Sequence, residues 1–224
     1  MCESKIYDMM ALASSILNAP KKGQRRVIAI TGPPGSGKST IANDLIPLIS
    51  NAGSIAEVVP MDGFHLDNSI LAERNLIDFK GAPSTFDVRG FTELISRLST
   101  EPEIIFPKFD RDKDISIAGA GIVSADCDVV MVEGNYLLLD APLWRDLCKY
   151  WDFSVFLDVE PSIIRKRLLQ RWLDQRLSLD QAKKRLENND LVNLEIVVRN
   201  STIADLTFIN SCLLYTSDAA DEGL

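Results

Sequence analysis

A glycine-rich segment at residues 32–39 constrains the fold of this chain more than any other feature. Its sequence, GPPGSGKS, matches the pattern G-x-x-x-x-G-K-[ST] at every fixed position. The β-branched run at 27–31 predicts a buried parallel strand, and the apolar spacing from residue 38 to about 49 predicts a helix. A strand, a tight glycine turn and a helix in this order predict a loop whose backbone amides surround a phosphate group.

The sequence of this loop indicates which nucleotide and which metal ion the protein binds. Lys38 is expected to reach the β- and γ-phosphates and so to act in catalysis, and the Ser39 hydroxyl is expected to bind Mg²⁺. GTP specificity is discounted, because the nearest match to the guanine motif [NT]-K-x-D is PKFD at 107–110, where proline offers the base no side-chain amide. ATP and Mg²⁺ are therefore the predicted cofactors. The residues expected to contact ATP are Gly32, Pro33, Pro34, Gly35, Ser36, Gly37, Lys38, Ser39 and Thr40.

Strand-like and helical segments alternate along the rest of the chain. This order predicts right-handed crossovers and an α/β three-layer sandwich of the P-loop NTPase type, with a mostly parallel sheet covered by helices on both faces. An amphipathic helix is expected at about 4–19; a signal peptide is disfavoured because Glu3 and Asp8 interrupt a basic start. The further predicted strands are 55–61, 103–106, 128–133, 153–158 and 205–209, and the further predicted helices are 91–98, a long one from Pro161, and 179–188.

The C-terminal residues differ in character from the rest. The stretch 212–222, CLLYTSDAADE, resembles the translation of a sequencing adapter. A single domain over 1–211 and a non-native tail over 212–224 are therefore predicted. The alternative is a natural acidic terminus that frays.

Composition excludes several classes of function. With 46% hydrophobic and 25% charged residues among 224, disorder over most of the chain is excluded, and the net charge of −8 argues against binding nucleic acid or an anionic membrane. No apolar run approaches the roughly 18 to 20 residues that span a bilayer. The four cysteines show no C-x-x-C spacing, which favours a cytoplasmic location. The oligomeric state stays open, a homodimer included.

Two carboxylates follow predicted strands. Asp62 comes where the strand at 55–61 ends, at the sheet edge where ligands collect in parallel α/β folds. A kinase needs such a group to accept the proton of the attacking hydroxyl, although Asp before Gly63 is also a common turn pair. Glu133 ends the hydrophobic strand at 128–133, at the position where a carboxylate contacts the metal directly or through water; an ordinary strand-terminating glutamate is the alternative.

The chain resembles the P-loop small-molecule kinases of the uridine kinase, phosphoribulokinase and pantothenate kinase group. It is most similar to the bacterial branch labelled nucleoside/nucleotide kinase family or fructose transport system kinase. The resemblance runs from residue 28 to about 208. It is carried by GPPGSGKST at 32–40, MDGFHLDN at 61–68, KGAPSTFD at 80–87, PKFDRDKD at 107–114, VEGNYLLL at 132–139, FLDVEPSIIRKRLLQRWL at 156–173 and ENNDLVN at 187–193.

The resemblance implies roles for further residues. It supports Asp62 as general base and places lid arginines on the long helix, where Arg167 and Arg171 share a face and Arg171 is the preferred catalytic residue. A basic solvent face is the alternative for this pair. For His65, the only histidine, a structural role is the alternative. The residues that the resemblance implies in acceptor binding are Phe64, His65, Lys80, Lys108, Arg111, Asn135, Tyr136 and Arg167.

Two functions follow from these residues. The first is an ATP- and Mg²⁺-dependent kinase that phosphorylates a hydroxyl of a small sugar, nucleoside or pantothenate-like metabolite. The second is a regulatory nucleotide-binding ATPase that has no small-molecule acceptor. Asp62 and the lid arginines favour the kinase, because a nucleotide switch requires neither.

Overall fold

The computed structural model describes residues 5–6 and 8–210. These residues form eight strands and seven α-helices. None of the described helices is long and apolar enough to cross a membrane. The elements are β1 (Lys5–Ile6), α1 (Met9–Asn18), β2 (Arg26–Thr31), α2 (Lys38–Asn51), β3 (Ala56–Pro60), α3 (Asn68–Glu73), α4 (Val88–Leu98), β4 (Ile104–Asp110), β5 (Ile115–Val123), β6 (Val129–Gly134), β7 (Phe153–Asp158), α5 (Pro161–Asp174), α6 (Leu179–Arg185), α7 (Leu191–Asn200) and β8 (Leu206–Ile209).

Six parallel strands form the main sheet, in the order β1-β8-β7-β2-β6-β3. The central strand β2 pairs with β6 on one side and β7 on the other, so that Ile30 lies beside both Glu133 and Val155. Two apolar clusters cover the two faces of the sheet, one with α1 and α2 and the other with α4. The predicted α/β sandwich is confirmed, because strands buried on both faces need helices on both sides.

The N-terminal prediction is corrected by the structure. Helix α1 covers Met9–Asn18 rather than about 4–19, because the Asp8 side chain caps it by accepting bonds from the amides of Met10 and Ala11. The preceding Lys5–Ile6 forms an edge strand that pairs with β8. The predicted tail at 212–224 lies outside the described residues.

A β-hairpin replaces the short strand predicted at 103–106. Strand β4 does not stop at Pro107 but continues to Asp110 and pairs antiparallel with β5, separately from the main sheet. The register shifts between Phe106 and Lys108, and such an irregularity accommodates a proline inside a strand. Strand β5 is not predicted from the sequence. Its residues, ISIAGAGIV, include glycines and alanines, which are depleted in strands.

The helix predicted at 179–188 ends earlier and is followed by more helix. It ends at Arg185, and a π-helical turn over Leu186–Asp190 leads directly into α7. Such turns are rare and frequently occur at functional sites. Two residues of this turn, Asn189 and Asp190, line the cavity of the candidate site.

Candidate active site

The phosphate loop joins β2 to the N-terminus of α2, as the sequence predicts. Gly35 and Gly37 adopt φ values of 76° and 88°, which side chains with a Cβ rarely adopt. A Cβ on Gly35 would also lie 3.0 Å from Cγ of Leu168 on α5. The loop is therefore shaped by backbone conformations that glycine permits. It leads into the N-terminus of α2, and helix N-termini bind anions.

Lys38 is buried at the base of this loop. Its Nζ donates hydrogen bonds to the carbonyl oxygens of Gly32 and Pro33, at 3.0 and 2.9 Å. Burial lowers the pKa of Lys38 to about 8, and the nearby charges of Glu133 and Asp62 partly oppose this shift. A charged ammonium with few water contacts is suited to interact strongly with phosphate oxygens.

Glu133 lies near the end of β6 and is also buried. Burial raises the pKa of this carboxyl to about 7, and the negative charge of Asp62 adds to the shift. Lys38 and a hydrogen bond from Ser39 act in the opposite direction. Glu133 and Ser39, the two predicted metal ligands, are therefore brought together beside Lys38.

Asp62 follows β3 in a 3₁₀ turn, Met61–Phe64, and its side chain lines the same cavity as the phosphate loop. Its Oδ2 accepts a hydrogen bond of 2.6 Å from Arg111, which lies at the turn of the β4–β5 hairpin. This ion pair joins two predicted site residues that are 49 positions apart. The carboxylate of Asp62 is 23% exposed and so remains open to the cavity.

His65 is held among aromatic side chains on the cavity wall. Its ring centre lies 4.1 Å from that of Phe86 and 4.6 Å from that of Phe109. Its Nδ1–H donates to the carbonyl oxygen of Asp62 over 2.7 Å. Because burial lowers its pKa below the usual range, His65 is neutral near pH 7. Its ring forms part of the cavity wall.

Lys80 also lines the cavity but is held by protein groups. Its Nζ lies 2.8 Å from Oδ1 of Asn68 and 2.9 Å from Oδ1 of Asp114. Its own carbonyl oxygen accepts a hydrogen bond from Asn189 in the π-helical turn. The loop at 80–87 is thereby clamped between the hairpin and the π-helical turn.

Two of the three arginines of α5, Arg167 and Arg171, line the cavity. Arg167 approaches the carbonyl oxygen of Gly35 at 3.4 Å, and Arg171 donates to Oδ1 of Asp190 at 3.2 Å. Helical spacing places Trp172 on one stripe of α5 with the buried Ile164 and Leu168. Trp172 nevertheless lines the cavity, and its Nε1 donates to Oδ2 of Asp190 over 2.5 Å. The buried Asp190 carboxylate therefore orients two side chains of α5.

Three predicted acceptor-binding residues do not line the cavity. Phe64 packs against Phe91 with ring centres 5.1 Å apart, and Lys108 extends over the ring of Phe106 at 5.4 Å. The buried Tyr136 donates its hydroxyl hydrogen to the carbonyl oxygen of Gly81 at 2.6 Å. In this structure the three side chains are used in packing, so their predicted contacts with the acceptor stay predictions. Tyr136 supports the loop at 80–87 from behind.

The cavity has a volume of about 580 Å³ and extends from the phosphate loop to Asp62, the β4–β5 hairpin and the π-helical turn. Asn135 and Arg111 line it as predicted, whereas Gly32, Pro33 and Ser36 lie behind its surface. Sequence reasoning missed the contributions of the π-helical turn. The segment ENNDLVN is distinguished only by its resemblance to the family, and nothing in helical spacing indicates that its polar residues turn inward. The missed residues on the wall are Gly81, Phe86, Phe109, Asp114, Leu168, Trp172, Gln175, Leu177, Arg185, Asn189, Asp190 and Asn193.

Comparison with known proteins supports a kinase. Residues 27–183 match the model of the phosphoribulokinase / uridine kinase family. The uncharacterized protein YggC of Escherichia coli strain K12 is 37% identical over 185 residues, which cover 82% of this chain and 77% of that protein. A Schizosaccharomyces pombe protein provisionally named uridine kinase C227.14 is 34% identical over 199 residues, 83% of each chain.

A solved structure has the same architecture along nearly its whole length. It comes from Silicibacter sp. TM1040 and carries the provisional name fructose transport system kinase. It superposes with a TM-score of 0.87 at 47% identity, covering 90% of this chain and 99% of that one. The family model, the relatives and the shared fold agree with the geometry of the phosphate loop. The chain therefore belongs to the phosphoribulokinase / uridine kinase family and is an ATP-dependent kinase.

Proposed function

We propose that this kinase transfers the γ-phosphate of ATP to a hydroxyl of a small sugar, nucleoside or pantothenate-like metabolite, with Asp62 as the general base. The observation that carries the proposal is the position of Asp62, which shares one cavity with Lys38 and the phosphate loop. In-line transfer requires a base on the side of the γ-phosphate opposite ADP. An aspartate at the end of β3, which is separated from β2 by β6 alone, supports that role.

In the proposed reaction, groups of this site accept the proton of the hydroxyl and stabilise the charge on the transferred phosphate. Asp62 accepts the proton as the hydroxyl oxygen forms a bond to Pγ, and the bond from Pγ to the β-phosphate oxygen breaks to leave ADP. Lys38, Arg167 and Arg171 stabilise the negative charge that spreads over the transferred group. Arg111 already donates to Asp62, so it orients the carboxylate before the acceptor enters.

The pair of Ser39 and Glu133 fits Mg²⁺ binding. Both offer oxygen ligands, and Mg²⁺ is usually held by one or two side chains together with phosphate oxygens and water. The described residues contain no group of three or more histidine, cysteine or acidic side chains suited to a metal, which agrees with a site that needs the nucleotide. Bound there, Mg²⁺ would neutralise charge on the β- and γ-phosphates.

The proposed location is the cytoplasm. This proposal depends only on the cysteines, which show no C-x-x-C spacing.

A regulatory nucleotide-binding protein is the competing proposal. It would need the phosphate loop but no acceptor cavity opposite it. The aromatic and amide wall around Asp62, which includes His65, Phe109 and Asn193, has no role in such a protein. This wall favours the kinase.

The experiment that separates them is a titration of candidate acceptors. Purified protein is mixed with ATP and Mg²⁺, ADP release is followed, and phosphorylated products are identified by mass spectrometry. A kinase releases ADP in proportion to one acceptor and forms its phosphate ester. Saturable ATP binding with no response to sugars, nucleosides, hydroxy acids or pantothenate would support the regulatory protein instead.

A further inference from the structure

Arg185 occupies an unusual position in the cavity wall. It is the last residue of α6, is half-buried, and lies immediately before the π-helical turn. Its guanidinium carbon lies 4.8 Å from the centre of the Trp172 ring, and its Nε is shielded from solvent without a hydrogen-bond partner. Across residues 5–6 and 8–210, no oxygen accepts a hydrogen bond from Arg185 and no acid pairs with it. Its donors are therefore available to a ligand.

The other five cations of the wall all have protein acceptors. Lys38 and Arg167 donate to carbonyls of the phosphate loop, and Arg111 pairs with Asp62. Lys80 and Arg171 pair with Asp114 and Asp190 respectively. Arg185 thus differs from every other cation that lines this cavity in the described part of the chain.

The acids near Arg185 are already engaged. Its charge acts on Asp114 of the hairpin and on Asp190 of the π-helical turn, but these carboxylates lie 2.9 Å from Lys80 and 3.2 Å from Arg171. The cavity wall carries six basic side chains and only four acidic ones, although the whole chain has a net charge of −8. Positive charge is therefore concentrated here.

The nucleotide does not account for Arg185. The triphosphate is expected at the phosphate loop, where Lys38, Arg167 and the start of α2 supply positive charge. The acids on which the charge of Arg185 acts come from the hairpin and the π-helical turn, which form the acceptor side with Asp62. Arg171 of α5 shares the Trp172 ring with Arg185, but it is already paired with Asp190. A guanidinium fixed on an aromatic ring presents its remaining N–H groups in a plane that matches a carboxylate or a phosphate.

We propose that Arg185, held on Trp172, binds an anionic oxygen group of the phosphate acceptor. The acceptor is then a hydroxyl compound that carries a carboxylate or a phosphate at its far end, rather than a neutral sugar or nucleoside. This inference rests on the proposed function, because it concerns the acceptor of that same reaction. The inference restricts the proposed acceptors to those that carry a negative charge.

The test compares acceptors that differ in one charge. Steady-state kinetics are measured for D-glycerate against glycerol, pantothenate against pantothenol, and fructose 1-phosphate against fructose. The wild-type protein is expected to use the charged member of at least one pair with a kcat/KM at least about 10-fold higher. Arg185→Gln is expected to raise the KM for that charged acceptor by about 10- to 100-fold and to leave the neutral acceptor unchanged. The pairs also distinguish a carboxylate from a phosphate.

Lys184→Gln is the matched control, since it removes the same charge from the neighbouring exposed residue. Arg185→Lys should recover part of the affinity, because it restores the charge without the planar geometry. Equal use of charged and neutral acceptors, or an equal loss for both in Arg185→Gln, would overturn the inference while leaving the kinase intact.

A binding measurement separates this inference from the proposed function. With the nucleotide site saturated by a non-hydrolysable ATP analogue and Mg²⁺, inorganic phosphate is titrated at constant ionic strength, and the fluorescence of Trp172 is followed. Trp172→Phe identifies its part of the signal. If no acceptor is phosphorylated, the proposed function fails. Saturable phosphate binding that Arg185→Gln weakens at least 10-fold and Lys184→Gln does not would still support the anion site, and its absence would overturn it.

Discussion

The phosphate-loop side and the acceptor side of the cavity are built in different ways. On the loop side, Lys38 bonds to carbonyls only five and six positions before it. On the acceptor side, the bonded pairs are far apart in sequence: Asp62 and Arg111 by 49 positions, and Asn189 and Lys80 by 109. In the first region the bonds of Lys38 lie within one contiguous segment, although Arg167 and Asn210 also donate to the loop from 132 and 174 positions away. The second region exists only when the hairpin, the 80–87 loop and the π-helical turn have packed together.

This difference predicts separate effects on the two substrates. A substitution in the loop removes contacts from one short segment and should act chiefly on ATP. A substitution on the acceptor side disturbs partners on other elements and should act on the acceptor, on catalysis and on stability together. The five predictions below test that separation, from the largest expected effect to the smallest.

Asp62→Asn should give the largest loss of activity. The amide keeps the shape of the side chain but cannot accept the proton, so turnover should fall by about 10² to 10⁴ while ATP affinity changes little. Steady-state turnover beside an ATP titration measures both. Asp67→Asn is the control, because Asp67 only caps α3 and asparagine caps equally well. Near-normal turnover would remove Asp62 from the mechanism and make Glu133 the next carboxylate to test.

Lys38→Ala should lower both ATP affinity and turnover. It removes a buried charge that lies at the phosphate loop, and losing one such stabilising group typically lowers turnover by about 10² to 10³. ATP binding is measured by calorimetry and turnover by ADP release. The exposed Lys21→Ala serves as the control for lost charge. Activity within a factor of a few of the wild type would show that this loop is not the working site.

Asp190→Asn should affect both α5 and the acceptor side. The substitution removes the charge that orients Arg171 and weakens the bond from Trp172, so we expect turnover to fall by about 10- to 100-fold. The melting temperature should fall as well, because a buried ion pair is broken. The exposed Asp180→Asn is the control. Normal activity in a destabilised protein would limit Asp190 to a structural role.

Tyr136→Phe should reduce stability without removing a cavity contact. It leaves the carbonyl oxygen of Gly81 without its hydrogen bond, which costs about 1 kcal/mol and lowers Tm by about 2–4 °C. Tyr150→Phe is the control, because the Tyr150 hydroxyl makes no hydrogen bond within residues 5–6 and 8–210. A thermal melt of both variants measures the difference. A kcat that falls 100-fold with unchanged Tm would contradict this supporting role.

The titration of His65 should show the smallest effect. Because burial lowers the pKa of His65, the folded protein binds fewer protons than the unfolded chain, and this residue destabilises the fold as pH falls through about 6.5. As the chain has one histidine, its ring signal in an NMR titration is unambiguous. We expect a midpoint below that of the same residue in urea-unfolded protein. A higher midpoint in the folded protein would mean that Asp62 outweighs burial.

Sequence patterns were most informative where a property depends on neighbouring residues. The strand before the loop, the helix after it and the Pro161 start of α5 were all predicted and lie where expected. Asp87 immediately precedes α4, and its side chain accepts from the amide of Gly90, as an aspartate at the start of a helix is expected to do. These features follow from backbone conformation and short-range hydrogen bonds, which a sequence pattern records directly.

Sequence patterns failed where side-chain direction depends on distant elements. Phe64 and Lys108 lie in segments of the site but turn toward Phe91 and Phe106, while Trp172 turns into the cavity instead of the core. No local pattern distinguishes these outcomes, because each is decided by the surface that packs against the segment.

The amino-acid sequence by itself determined the α/β architecture, the phosphate loop and the family, since alternating strands and helices and a fixed glycine spacing are local properties. Only the tertiary structure decided which groups form the acceptor side. Strand β5 pairs with β4, the π-helical turn directs Asn189 and Asp190 inward, and Arg185 is left without a partner while neighbouring cations are neutralised. Those outcomes depend on contacts between segments separated by tens of residues, whose relative positions are set by burial of the shared core.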